Sequence, residues 1–378
     1  MTPGCDLSII LCTYNRAQLL GLALDALARQ TLDPQRLEII VVDNNSVDQT
    51  REVVHTRAAR HPQIRYVFES RQGLPLARNS GVLAARAPLI AFTDDDVEVQ
   101  PDWAGGLLAA FDAYPDVDYF GGKVIAAWDR TARPAWLPPG HYGPLALQDR
   151  GDRPFSVGSH DVRPCLIGAN FAVRRRVFER VGLFSPAFPW GEDREFQLRA
   201  WELGVQGMYL PDVVAVCRVP PERVTKRYQR QWFSNAGRVH ARMQLLERTD
   251  CQGRLVAPVR GLRVFRVPGY LLRELGREVG RWMRFFACRR HLEAFRSENR
   301  IRYLASYLAE RRRVPARPDA GPVPAAGDLQ ASERQSRSLA PSNSPRRLTP
   351  VACPSGAVGH ALAAPSTRSM PCESPDSM

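Results

Sequence analysis

The sequence has no Cys-x-x-Cys pair, no run of about 18 consecutive apolar residues and no basic segment ahead of its first apolar stretch. Each absence removes a class. Cysteines at positions 5, 12, 165, 217, 251, 288, 353 and 372 are scattered without local histidine partners, which argues against a zinc site or a disulfide framework and fits a reducing compartment. Without a long apolar run no spanning helix is expected, and Met1-Thr2-Pro3-Gly4-Cys5-Asp6 lacks the composition of a secretory leader. A cytoplasmic location follows as the expectation. Also missing is a glycine-rich loop. After the first apolar run stands Thr13-Tyr14-Asn15-Arg16-Ala17-Gln18, where a dinucleotide-binding fold requires Gly-x-Gly-x-x-Gly and a sugar nucleotidyltransferase a glycine-rich loop of its own.

What is present suffices for a sizeable core: 44% of 378 residues are hydrophobic, enough for two or three domains of roughly 150 residues each. The net charge of +13 is unevenly placed. Residues 1–222 carry 23 basic and 27 acidic side chains, residues 223–313 carry 23 and 7, and residues 314–378 carry 6 and 5. The excess therefore belongs to the middle segment, where it can face phosphate in a nucleic acid, a lipid headgroup or a diphosphate-linked substrate.

Over the first 125 or so residues, short apolar runs alternate with segments of helical periodicity. Leu7–Cys12, Leu37–Val42, Ile64–Glu69, Pro88–Thr93 and about Val117–Val124 read as strands. Helices are expected around Leu20–Leu27, after Ser46 or Asp48, and over Leu76–Ala87 and Pro101–Tyr114. Such alternation predicts an α/β fold, with a mostly parallel sheet covered by helices on both faces. The stretch Ala126–Pro164 breaks the pattern with Trp128, Trp136 and several Pro and Gly; its tryptophans either stack on sugar rings or pack the loop on the sheet. Further helices are expected over Arg174–Val181 and Arg194–Leu203.

The fourth strand stops on Asp94-Asp95-Asp96, at the strand end where open α/β sheets bind ligands. Adjacent carboxylates repel unless a cation or donors neutralise them, and hard oxygen ligands suit Mg2+ or Mn2+ bound together with a substrate phosphate. A solvated acidic turn is the plain alternative. Glu192 and Asp193 open a helix, where the macrodipole alone favours acidic residues.

Six motifs in order, over roughly residues 6–235, resemble the inverting family-2 glycosyltransferases of the GT-A fold. They are Thr13-Tyr14-Asn15-Arg16, Asp43-Asn44-Asn45-Ser46, Gly73 with Ala77-Arg78-Asn79-Ser80-Gly81, Asp94-Asp95-Asp96, Gly168-Ala169-Asn170-Phe171 and Trp190-Gly191-Glu192-Asp193. The resemblance implies transfer of a hexosyl or related sugar from a nucleoside-diphosphate donor to an acceptor hydroxyl, with inversion. By the same resemblance Tyr14 meets the nucleobase, Asp43 the base or ribose, and Arg78 the nucleotide half of the donor. Thr13, Asn15, Arg16, Asn45, Gly73 and Asn170 complete the donor set. A divalent cation is held through Asp94 or Asp96, and Asp95 contacts ribose or donor sugar. Asp193 is the implied general base with Glu192 as its substitute, and Trp190 and Gly191 lie on the acceptor side. Many relatives carry a His before a Pro-Pro-Glu-Arg element; here Val216-Cys217-Arg218 precedes Pro220-Pro221-Glu222-Arg223. Cys217 is a poor ligand for a hard cation, which leaves Arg218 as a candidate to neutralise phosphate directly.

Beyond Arg223 the chain reads as a basic helical arm, residues 223–313. Leu271, Leu275, Val279, Trp282, Met283 and Phe286 recur at helical spacing, with Arg273, Arg277, Arg281 and Arg284 on other faces. This stripe suits either a membrane interface, contacted through residues 260–313, or packing on the catalytic domain. A membrane-anchored acceptor, such as a lipid-linked glycan of polysaccharide or glycolipid synthesis, fits the first reading. Nucleic acid is disfavoured, because no recognised binding motif accompanies the charge. From Val314 onward Pro, Ser, Ala and Gly dominate and a disordered tail is expected. The competing view of the whole chain is a catalytically silent nucleotide-binding scaffold at a membrane surface.

Overall fold

Strands β1 (Leu7–Thr13) and β2 (Leu37–Asp43) are apolar along almost their whole length because both of their faces are covered. Ile9, Leu11, Ile39 and Val41 point into one core, whereas Ile10, Ile40 and Val42 point into another. The computed structural model describes residues 4–313 apart from 129–131, 138–141, 251, 258–262 and 265–266. All of these fall within one of the two units into which the chain divides, Met1–Arg334, and the expected tail 314–378 lies outside the described residues.

The chain continues from β1 through α1 (Ala17–Ala28), β2, α2 (Thr50–Ala58), β3 (Ile64–Phe68), α3 (Leu74–Ala84), β4 (Leu89–Asp94), β5 (Val97–Val99), α4 (Trp103–Ala113) and β6 (Tyr119–Ala126). After a long connection holding β7 (Phe155–Val157) come β8 (Asn170–Arg174), α5 (Arg175–Val181), α6 (Glu192–Glu202) and β9 (Gly207–Cys217). Helices α1, α2 and α4 supply the first core, and α3, α5 and α6 the second. The sheet order is β3-β2-β1-β4-β8-β6-β9-β5, with β7 also on β9.

The expected α/β architecture is therefore present, and the parallel pattern holds from β3 through β4. It then changes. β8 enters antiparallel to both β4 and β6, although β6 and β9 are parallel. The connection from β6 brings the chain back to the sheet edge it left, so the next strand inserted beside β6 has to run the opposite way. The short β5, which follows the aspartates directly, pairs antiparallel with β9. Asp94–Asp96 consequently form the corner at which the chain leaves β4 and crosses to a different part of the sheet.

The segment after β9 adds α7 (Lys226–Arg242), a small ribbon of β10 (Arg263–Val264) and β11 (Val267–Pro268), α8 (Gly269–Ala287) and α9 (His291–Arg313). Its core of Ala236, Leu271, Tyr303, Leu304 and Tyr307 also receives Trp190, from the loop before α6. The amphipathic stripe of α8 divides: Leu271 is buried and Leu275 packs on this core, whereas Met283 and Phe286 are 55% and 61% exposed. Trp282 stacks on Phe286 at 5.5 Å. Among the described residues no helix is long and apolar enough to cross a membrane.

Arg311 of α9 donates to Glu247 with both groups fully buried, at 2.5 Å. Removing one partner of such a pair strands an uncompensated charge. Arg311→Ala should therefore lower unfolding stability by about 3–5 kcal/mol, read from the denaturant midpoint. A loss under about 1 kcal/mol, the scale of an exposed pair, would show that this ion pair does not hold α9 in place.

Candidate functional site

The carboxyl ends of β1 and β4, the entry to α3 and the start of α6 enclose a cleft of about 690 Å3. Thr13, Tyr14 and Arg16 line it from the β1 end, Gly73 and Arg78 from α3, Asp94, Asp95 and Asp96 from the β4 corner, and Trp190, Gly191, Glu192 and Asp193 from the head of α6. Residues a hundred positions apart in sequence thus share one wall.

The join is made by Arg78. Its guanidinium is almost wholly buried, donates through Nη1 to Glu192 Oε1 at 2.5 Å and through Nη2 to Asp94 Oδ1 at 3.3 Å, and lies over the Phe92 and Phe184 rings. Gly168 makes room for it: a Cβ there would lie 2.3 Å from Arg78 Nη2. Gly191, with φ of 76°, supplies the left-handed residue that starts α6. Asp193 is then fixed by two backbone donors, Gly168 N to Oδ2 at 3.0 Å and Arg194 N to Oδ1 at 2.7 Å.

The triplet is neutralised from several sides. Thr13 Oγ1 donates to Asp95 Oδ2 at 2.8 Å, and Arg16 reaches Asp95 at 2.9 Å and Asp96 at 3.4 Å. Arg223 lies 3.3 Å from Asp96. Burial raises the Asp95 carboxyl to about 6 against the pull of Arg16, with the Asp96 charge adding to the rise. Burial likewise raises Asp94, opposed by Arg78 and reinforced by Asp96 and Asp193. Glu192 is pushed to about 7, because burial outweighs the attraction of Arg78 and Asp193 repels. Burial works against the charge on Arg78, yet Glu192, Asp94 and Asp193 together hold its pKa above the usual value.

Among the described residues no group of three or more His, Cys, Asp or Glu surrounds a point where a metal could sit. The side chains do fit a cation that takes much of its coordination from a diphosphate. Asp94 keeps a third of its side chain exposed, whereas Asp95 and Asp96 are nearly covered and already paired with arginines. Cys217 lines the same cleft, with burial raising its thiol to about 12, so it offers no thiolate.

Four expected donor residues do not line the cleft. Asp43 is buried and accepts from Tyr66 Oη at 2.7 Å and Ser46 N at 2.9 Å, which shapes the turn after β2. Asn15, at φ of 51°, accepts from Val47 N, and Asn45, at φ of 66°, faces solvent on the same turn. Asn170 is a core bolt: its Oδ1 accepts from Trp103 Nε1, and its Nδ2 donates to the carbonyls of Lys123 and Val213, tying β8 to β6 and β9. Arg218 is also held elsewhere, 2.6 Å from Glu98, so Arg223 is the arginine of this region that reaches the cleft. Sequence reasoning overlooked Asn44, whose Oδ1 accepts from Gly73 N while its Nδ2 donates to the Arg71 carbonyl. It stands beside Asp43 in the Asp43-Asn44-Asn45-Ser46 motif. Tyr228, Trp232 and His240 of α7 line the cleft too, with no signal in the sequence beyond helical periodicity.

Residues 8–182 match the family model described as Glycosyl transferase family 2. A validoxylamine A glucosyltransferase of Streptomyces hygroscopicus subsp. limoneus is 43% identical over 106 residues, 28% of this chain and 23% of that protein. A glucosyl-dolichyl phosphate glucuronosyltransferase of Haloferax volcanii is 27% identical over 177 residues, 46% of this chain and 54% of that protein. The chain thus spans between about a quarter and about half the length of these curated relatives. A mannosyltransferase from Pyrobaculum calidifontis, solved in complex with GDP-Man and Mn2+, shares the fold with a TM-score of 0.50 at 21% identity, over 89% of this chain and 81% of that one.

The raised Glu192 carboxyl has a consequence for stability. Between its ordinary 4.5 and about 7 the native protein binds more protons at this site than the unfolded chain, so the stability Glu192 contributes at low pH is lost as pH rises through that window. Melting temperatures of the wild type should fall against those of Glu192→Gln over this range, with Asp95 supplying a parallel slope in both proteins. Parallel curves for the two proteins would mean that Glu192 is ionised throughout.

Proposed function

Through residues 8–182 the chain belongs to the family-2 glycosyltransferases, on a GT-A fold, and from that premise we propose that it transfers a sugar from a nucleoside-diphosphate donor to an acceptor hydroxyl with inversion. The observation that carries this reading is the meeting of Asp94–Asp96 and Asp193 in one cleft, joined through Arg78.

In this reading the half-exposed Tyr14 at the cleft rim stacks on the nucleobase, and Asp95, fixed by Thr13 and Arg16, meets the ribose or donor sugar. Arg78, Arg16 and Arg223 supply positive charge near the diphosphate. A Mg2+ or Mn2+ ion held through Asp94, with Asp96 beside it, would offset the charge that develops on the departing diphosphate. Asp193 takes the proton from the acceptor hydroxyl as its oxygen bonds to the anomeric carbon and the bond to diphosphate breaks. The two backbone donors on Asp193 hold the carboxylate in place for that step. Glu192, committed to Arg78, positions the network instead of acting as the base. Trp190 and Gly191 border the acceptor side.

We further propose that α8 brings the enzyme to an anionic membrane surface, where a lipid-linked or cell-surface glycan is the acceptor. Exposed Met283 and Phe286 beside Arg277, Arg281 and Arg284 support this.

A panel of nucleotide sugars should reveal one donor that is turned over. Asp193→Asn should then lose about 10²- to 10⁴-fold in kcat while nucleotide affinity stays nearly unchanged. Undiminished turnover in that variant would remove Asp193 from the base role. Liposomes containing anionic lipid should bind the wild type and release it with added salt, and the Met283→Asp, Phe286→Asp double variant should bind far less. Equal binding by the double variant would remove α8 from the membrane contact.

A further inference from the structure

A second cavity, of about 490 Å3, lies between α7, α9 and the loop bearing Trp136. It falls within the size range of small-molecule sites. Five of its lining side chains are aromatic: Trp136, Trp232, Phe233, Phe295 and Tyr303. Trp136 meets Phe295 edge to face at 5.5 Å, and Trp232 meets Phe233 the same way at 5.2 Å. Arginines stand around it. Arg163 and Arg300 are paired with Asp161 and Glu274, whereas Arg194 and Arg296 have no carboxylate in salt-bridge range among the described residues. Two amide residues lining the cavity, Gln229 and Asn299, are 2% and 5% exposed, and Gln229 Nε2 and Asn299 Oδ1 have no hydrogen-bond partner. An unsatisfied buried polar atom costs about 1–3 kcal/mol, so an occupant offering hydroxyls to this donor and this acceptor is favoured.

Three side chains, Arg194, Trp232 and His240, line both this cavity and the cleft that holds Asp193. We propose that the cavity is the acceptor subsite and that it takes an acidic glycosyl unit. The sugar ring stacks on the aromatic walls, its hydroxyls pair with Gln229 and Asn299, and its carboxylate or phosphate meets Arg194 and Arg296. This assignment rests on the donor-cleft reading above and names the substrate class for its other half. His240 contributes no charge of its own: burial, and then the charges of Arg194 and Arg300, lower its pKa to about 3, and its Nδ1 lies 3.1 Å from Tyr303 Oη. The excess positive charge in the cavity is therefore that of the arginines, with Lys226 Nζ over the Trp136 and Phe295 rings adding to it.

The test is calorimetric titration of the full chain with three probes: methyl β-D-glucuronide, methyl glucoside 6-phosphate and neutral methyl β-D-glucoside. At least one acidic probe should bind about tenfold tighter than the neutral one, the scale of a charge-assisted hydrogen bond. The arm that wins tells carboxylate from phosphate. Arg296→Ala should erase the preference, and Gln229→Leu should weaken all three probes. Neither change should alter binding of nucleoside diphosphate with Mn2+, because neither residue lines the donor cleft. Equal binding of acidic and neutral probes, or a preference that survives Arg296→Ala, would overturn the subsite. Nucleotide binding without the glycoside preference removes the subsite and leaves the donor cleft standing; the preference without nucleotide binding does the reverse.

Discussion

A guanidinium buried in protein must find carboxylates, and Arg78 finds two from distant parts of the chain, Asp94 at the end of β4 and Glu192 at the head of α6. Leaving such a charge unpaired would cost several kcal/mol, so the pairing fixes where α6 begins relative to the sheet. Asp193 is placed as a result. The next residue after Glu192, it turns toward Gly168 N, and Gly168 can be there because it has no side chain to collide with Arg78. One arginine, one glycine and three carboxylates therefore make up a single unit, and the cleft takes its shape from it.

The same unit explains how so many acidic groups tolerate one another. Asp94, Asp95 and Asp96 are crowded into a corner between two strands, and each is met by a different arginine, from α3, the β1 loop and the segment after β9. Burial still raises Asp94, Asp95 and Glu192. Carboxylates held this way are ready to accept added positive charge, the property expected of a site that takes a nucleotide diphosphate together with a cation.

The helices after β9 build the site as well as extend the chain. Trp190 packs edge to face on Trp232 at 5.4 Å, so the loop that leads into α6 is braced by α7. Through Trp232 and His240 the same helix borders both cavities, joined there by Arg194 of α6. The apolar stripe of α8 serves two ends: its first half anchors the helix to this core, and its second half remains open.

The sequence by itself determined the α/β class, strands β1 to β4 and the order of the motifs, because a strand covered on both faces must be apolar throughout and helices between parallel strands must be amphipathic. It singled out Asp94–Asp96 by residue type at a strand end, while Arg78 and Asp193 became candidates through the resemblance of their motifs to the family-2 glycosyltransferases. Only tertiary structure decided that β8 runs antiparallel, since direction in a sheet leaves no mark on a strand five residues long. Three-residue strands such as β5 and β7 are too short to show any period. Asp43 and Asn170 are polar residues at strand ends, yet the fold spends their hydrogen bonds on Tyr66 and Trp103 instead of facing them to the cleft. Arg223 and the α7 side chains reach the site through packing between segments far apart in the chain, and a linear pattern holds no record of which surfaces will meet.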